Sequence, residues 1–209
     1  MAYDRERLCY FWFRFIRLRV LSNRPPTTSA TRAVIGTLLA IDFAERKLKL
    51  WHPATSRTFD CIYAALDGIE PLLVANAREL VQVIGTVEVD AGDHPVRVVE
   101  VIEIRPVDLD PIPVPVFTVD NVAVQPVTDR QLQPRLDETS QLFLLEDSEL
   151  GIDLAEETRA DLDDALRHLL PVLWTDYARA PDAELTEDAR ALKYRLLAAF
   201  TEVPHAPPE

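Results

Sequence analysis

Between residues 34 and 105 the apolar side chains recur at every second position, with a single helical interruption, and this leaves few architectures open. Residues 34–43, 46–52 and 57–63 read as strands, parted by Ala44-Glu45 and by Pro53-Ala54-Thr55-Ser56, both of which are turn material. Residues 67–78 change period: Asp67 is a capping side chain, Pro71 fits a first turn, and Ile69, Leu72, Leu73 and Ala77 return at helical spacing. Residues 80–90 place Val81, Val83, Val87 and Val89 on one side, Ala91-Gly92-Asp93-His94 turns the chain, and 95–105 brings it back. Gly36 and Gly85 fall inside strands, where a curled barrel or a bulge uses a residue without a side chain.

This order of three strands, a helix and two strands resembles the OB-fold, a five-stranded Greek-key barrel, by topology. The resemblance implies a closed barrel, and OB-folds often bind single-stranded nucleic acid across strands two and three with aromatic platforms and cations. The matching strands offer Lys47, Lys49 and Trp51 on one face of the second, and Arg57, Phe59 and Tyr63 on one face of the third. In the competing reading the lysines are a solvated face, and the three rings fill or rim the barrel. Seven basic side chains against eleven acidic ones in 34–105 favour that competing reading, because a nucleic-acid groove leans on positive potential.

The whole chain of 209 residues holds 22 Lys+Arg against 35 Asp+Glu, a formal charge of -13, which argues against the whole molecule being held on nucleic acid by its field and leaves only a local basic face open. Residues 1–33 run the other way, with seven Arg against Asp4 and Glu6, and are expected as a basic, disordered leader containing the linker Pro25-Pro26-Thr27-Thr28-Ser29. No run approaches the roughly 20 apolar residues of a spanning helix, so no integral membrane segment is expected. Cys9 and Cys61 are too few for a disulfide scaffold and too far apart for metal spacing, which points to the cytoplasm.

Residues 106–115 read PVDLDPIPVP; proline at that density favours extended backbone, and a linker between domains is expected there. Residues 116–128 alternate again, and 141–146 form a short apolar run. One long helix is expected over 156–178, with Thr158 as its cap and Asp161 three residues on. Its apolar stripe is Leu162, Leu166, Leu169, Leu173 and Tyr177, widened by Leu170 and Trp174, and Pro171 must kink or break it. Thr186 caps a second helix whose Ala189, Leu192, Leu196 and Phe200 face one way, and 204–209 is a frayed tail. The expected fold class is therefore α+β: an N-terminal OB-like five-stranded β-barrel over 34–105, then a smaller α+β unit over 116–203 ending in two helices.

Short strands, then Glu149-Leu150-Gly151-Ile152-Asp153, then a helix opened by Glu157-Thr158-Arg159-Ala160-Asp161-Leu162 resemble the HicB-type antitoxins over about residues 116–180. That family carries a partial ribonuclease H-like unit with a threonine-led helix after its strands. The resemblance implies a non-catalytic fold that neutralises a partner. Operator binding is not carried over, because Asp153-Leu154-Ala155-Glu156 replaces a glycine-rich approach and no DNA-binding module follows the helix.

No glycine-rich phosphate loop, nucleophile elbow or paired-histidine motif is present, so no enzyme, cofactor or metal is expected. Asp161, Asp163 and Asp164 share one helical turn but point apart, His52 and His94 lack partners at metal spacing, and His168 on the flank of the leucine stripe reads as a surface or half-buried side chain rather than a base. Residues 106–209 hold eight basic against twenty-two acidic side chains, a field that steers a cationic surface. The expected function is a non-catalytic cytoplasmic interaction protein, antitoxin-like, that binds a basic protein partner through Trp174, Tyr177, Asp161 and Asp164. Both aromatics can equally pack on the second helix. The rival is a single-stranded nucleic-acid-binding module acting through Lys47, Lys49, Trp51, Arg57 and Phe59.

Overall fold

The computed structural model describes residues 29–64 and 68–203. Most of the leader, the tail 204–209, Cys9 and the capping Asp67 lie outside the described residues. Among the described residues the fold is α+β, with a closed five-stranded barrel followed by a second unit that holds two of the three α-helices.

The barrel is built from β1 (Ser29–Asp42), β2 (Lys47–His52), β3 (Arg57–Tyr63), β4 (Leu80–Val89) and β5 (Pro95–Pro106), with helix α1 (Ile69–Ala75) between β3 and β4. Around the wall the order is β1-β2-β3-β5-β4, closed by pairing of β1 with β4. Every pair is antiparallel except β3 with β5. The strand begins earlier than the charge shift suggests: Ser29–Asp42 is one continuous strand, so residues 29–33 of the expected leader pair with β4 from Glu88 to Ile84. Helix α1 is shorter than its sequence pattern. It starts after Gly68 at φ 76, and the Asn76 side chain donates to Leu72 O at 2.8 Å at its end.

Alternation decides which side chains fill the barrel. In β2, Leu48, Leu50 and His52 are buried between exposed or half-buried Lys47, Lys49 and Trp51. In β3, Phe59, Cys61 and Tyr63 are buried. Ile69 and Leu73 of α1 join this core. Gly85 sits where β4 bulges against β5, and a Cβ there would lie 2.2 Å from the Glu100 carbonyl oxygen. Gly36 permits the same intimacy between β1 and β2, with a hypothetical Cβ 2.8 Å from Trp51 O.

The second unit is made of short strands. β6 (Ile112–Pro113) pairs with β9 (Gln131–Leu132). β7 (Phe117–Val119) and β8 (Val122–Pro126) form a hairpin through Asp120-Asn121, both at positive φ, and β13 (Phe200–Val203) adds to β8. β10 (Arg135–Leu136), β11 (Phe143–Asp147) and β12 (Ile152–Glu156) form an antiparallel meander. Helices α2 (Arg159–Leu173) and α3 (Glu187–Ala199) pack on these sheets.

Three local expectations change here. The long helix begins at Arg159 rather than 156, because 152–156 is taken by pairing with β11. Pro171 does not end it: the α-helix runs on to Leu173 and then widens into a π turn over Trp174–Ala178, with Thr175 Oγ1 donating to Pro171 O at 2.8 Å. Phe200 opens a strand rather than closing α3. Both threonine caps form, Thr158 accepting from Asp161 N at 3.1 Å and Thr186 from Ala189 N at 3.3 Å.

Two apolar cores result, one inside the barrel and one in the second unit, and they meet on β1. Ile35 lies on a barrel strand but points outward into the second core, where it is 0 % exposed. Residues 106–115 join the two as packed chain. Val107 N donates to Leu80 O at 3.2 Å, and Ile112 and Val114 are buried. Among the described residues no helix is long and apolar enough to cross a membrane.

Candidate functional site

The residues nominated on the barrel do not converge. Lys47, Lys49 and Trp51 share the outer face of β2, Trp51 being 37 % exposed, whereas Phe59 points into the core at 4 %. Phe59 therefore cannot stack a base beside Trp51; its ring lies 6.0 Å from that of His52 inside the wall. Each cation has an acid against it: Lys47 bonds Glu45, Lys49 lies 4.0 Å from Asp60 across the β2–β3 ladder, and Arg57 lies 3.3 Å from Asp90.

Nor is Trp174 available as a contact. It is 3 % exposed, packs edge-on against Phe117 and Phe200 at 6.4 and 6.1 Å, and donates Nε1–H to Glu202 Oε1 at 3.0 Å. Tyr177 is half-buried against the same core. Asp161 and Asp164 stay at the surface. Asp161 accepts from the Thr158 hydroxyl at 2.6 Å, and Asp164 pairs with Arg167 at 3.2 Å. Among the described residues no cluster of His, Cys, Asp or Glu could hold a metal ion.

What the fold does assemble is an acidic edge. In the second unit Arg130, Arg135, Arg159, Arg167, Arg179 and Lys193 are all engaged with carboxylates of the same unit. Asp153 at the start of β12, Glu156 at its end, Glu157 and Asp161 form no ion pair among the described residues. Asp153 lies on the other face of β12, near Arg135, whereas Glu156, Glu157 and Asp161 crowd the passage from β12 into α2. Glu156 registers this, its carboxyl pushed up by burial and then by the charges of Asp161 and Glu157.

That edge runs into a cleft of about 440 Å³ at the open end of the barrel. Val34, Val87 and Val89 form its apolar floor, His52 and Ala54 one side, the 92–95 turn another, and Thr139, Gln141, Leu142 and Glu157 of the second unit the rest. The polar groups are held in place. Arg32 Nη1 donates to Asp93 Oδ1 at 2.8 Å, and Asp90 accepts from Gly92 N and His94 N, which holds its carboxyl below the usual range. His52 is 4 % exposed with Nδ1 3.1 Å from Thr55 Oγ1; burial lowers its pKa, against the opposing effect of Gln141. Gln82 Nε2 donates to Glu157 O at 2.7 Å and fixes the second unit's backbone over the rim.

Sequence reasoning missed this cleft. The period in β2 does put His52 on the inward face with Leu48 and Leu50, a local signal; nothing local links it to Gln141 or Glu157. Comparison of the chain with models of known protein families, with curated proteins and with solved structures finds no match.

Proposed function

We propose that this is a non-catalytic cytoplasmic interaction protein, in which an OB-type barrel carries an acidic unit that docks a basic protein partner. One observation carries the reading: six of the eight cations of the second unit are spent on internal pairs, while Glu156, Glu157 and Asp161 stand together without one. Like charges held together by the fold cost stability, and a cationic surface laid on them recovers it. The strand order β1-β2-β3-β5-β4 with α1 between β3 and β4 supports the OB-type assignment. The meander β10–β11–β12 leading into a threonine-capped helix supports an antitoxin-like second unit. Oligonucleotide binding on the barrel has less behind it, since Lys47, Lys49 and Arg57 are each neutralised and Phe59 is interior.

The test is affinity capture with the full chain from its native lysate. A stoichiometric basic protein should be retained at low salt and lost with the combined substitutions Glu156→Gln, Glu157→Gln and Asp161→Asn. A control carrying Asp129→Asn, Asp176→Asn, Glu184→Gln and Asp188→Asn should keep it. Equal loss in both, or no basic partner at all, would defeat the proposal.

A further inference from the structure

β1 has 14 residues, but β2 pairs with it only from Thr37 onward, while β4 follows it from Ser29 to Thr37. Among the described residues the edge of β1 on the side of β2 is therefore vacant over its first half. Leu38 N donates to Glu79 O and Leu38 O accepts from Arg78 N, so the even-numbered residues of β1 aim their main-chain groups at β4. Alternation aims those of Thr31, Ala33 and Ile35 at the vacant side. At Ile35 the protein fills the place itself: the Gln141 carboxamide accepts from Ile35 N at 3.0 Å and donates to Ile35 O at 2.9 Å, as a neighbouring strand would. Among the described residues nothing takes the corresponding groups of Ala33 and Thr31. They look out beside the cleft of about 440 Å³, where Ala33 is itself a wall.

We infer that this vacant edge receives an extended peptide segment of the partner, which adds to β1 as a strand at Thr31 and Ala33. An open ladder edge templates such addition, main-chain bonds supplying affinity and alternate side-chain pockets specificity. The floor of Val34, Val87 and Val89 takes an aliphatic side chain of that segment. Glu157 on the rim, with Glu156 and Asp161 behind it, takes a flanking Lys or Arg. This last element rests on the acidic-docking reading above; the strand pairing does not.

The probe is acetyl-Lys-Val-Thr-Val-Lys-amide, read by amide exchange and shift changes on the isotope-labelled full chain. Binding should slow exchange of the Thr31 and Ala33 amides at least tenfold, and a counterpart N-methylated at all five residues should do neither. Ala33→Pro removes one edge donor without touching the β4 ladder, and should weaken the peptide at least tenfold. A glutamate-flanked counterpart should also bind at least tenfold more weakly. If the N-methylated peptide binds as well as the parent, strand addition is overturned while the acidic reading survives. If the lysine and glutamate peptides protect both amides equally, the acidic contribution falls and strand addition stands. Absence of binding by either, or protection of both amides before any peptide is added, overturns the inference outright.

Discussion

The carboxamide of Gln141 meets both main-chain groups of Ile35, 106 positions away, and so joins a loop of the second unit to a barrel strand in strand-like register. Ile35 is fully buried, so neither group can turn to water if the amide is removed. Gln141→Ala should cost about 2–3 kcal/mol, two neutral bonds plus the desolvation left behind. Chemical denaturation checks it, and the Ile35 amide should exchange much faster in the variant.

Gly85→Ala should be among the most damaging small changes, since its Cβ would lie 2.2 Å from a main-chain oxygen that cannot yield without breaking the β4–β5 bulge. A loss of about 2 kcal/mol or more is expected. Gly68→Ala is the contrast: φ is 76 but among the described residues no atom beyond its chain neighbours would lie within 4 Å of the added Cβ, so the cost is backbone strain, about 1 kcal/mol. Thermal melts of the two variants should rank them in that order.

Burial keeps the pKa of His52 below its ordinary 6.5, so the folded state prefers the neutral ring. Its contribution to stability is complete above the unfolded pKa and is lost as pH falls through the folded one. Wild type should therefore lose more stability between pH 7.5 and 5 than His52→Gln does. The difference between the two denaturation curves isolates this ring from the carboxylates that titrate lower.

Trp174→Ala should remove about 3–5 kcal/mol, because a ring closed in by Phe117 and Phe200 and bonded to Glu202 is lost from a packed core. Trp51→Ala, on the outer face of β2, should change stability by about 0.5 kcal/mol or less. Urea midpoints measured side by side decide whether the two tryptophans differ in this way.

Cys61 is fully buried, and burial, with the nearby Asp60 charge, pushes its thiol well above the usual range. Iodoacetamide at pH 8 should leave it unmodified in the folded protein and alkylate it in denaturant, as read by mass spectrometry of the Cys61 peptide.

What sequence alone determined is what backbone sterics and alternation enforce within a few residues. The two-residue period in β1 to β5 and the helical spacing around Leu72 and Leu73 express which face of a segment must avoid water, and Thr158 and Thr186 satisfy orphan amides of their own helices. Tertiary structure decided everything that depends on a distant partner. The pairing of Phe200 with Pro126, the strand at 152–156 and the two-residue strands exist because another segment offers them bonds, and their own residues carry too little pattern to announce it. The same holds for the site: alternation could place Lys49 and Trp51 on one face, but only the ladder set Asp60 against Lys49, only the core enclosed Trp174, and only the meeting of the two units placed Gln141 at the vacant edge of β1. Alternation is inherited by each residue from its neighbours, whereas a hydrogen-bond partner is chosen by closure of the whole chain.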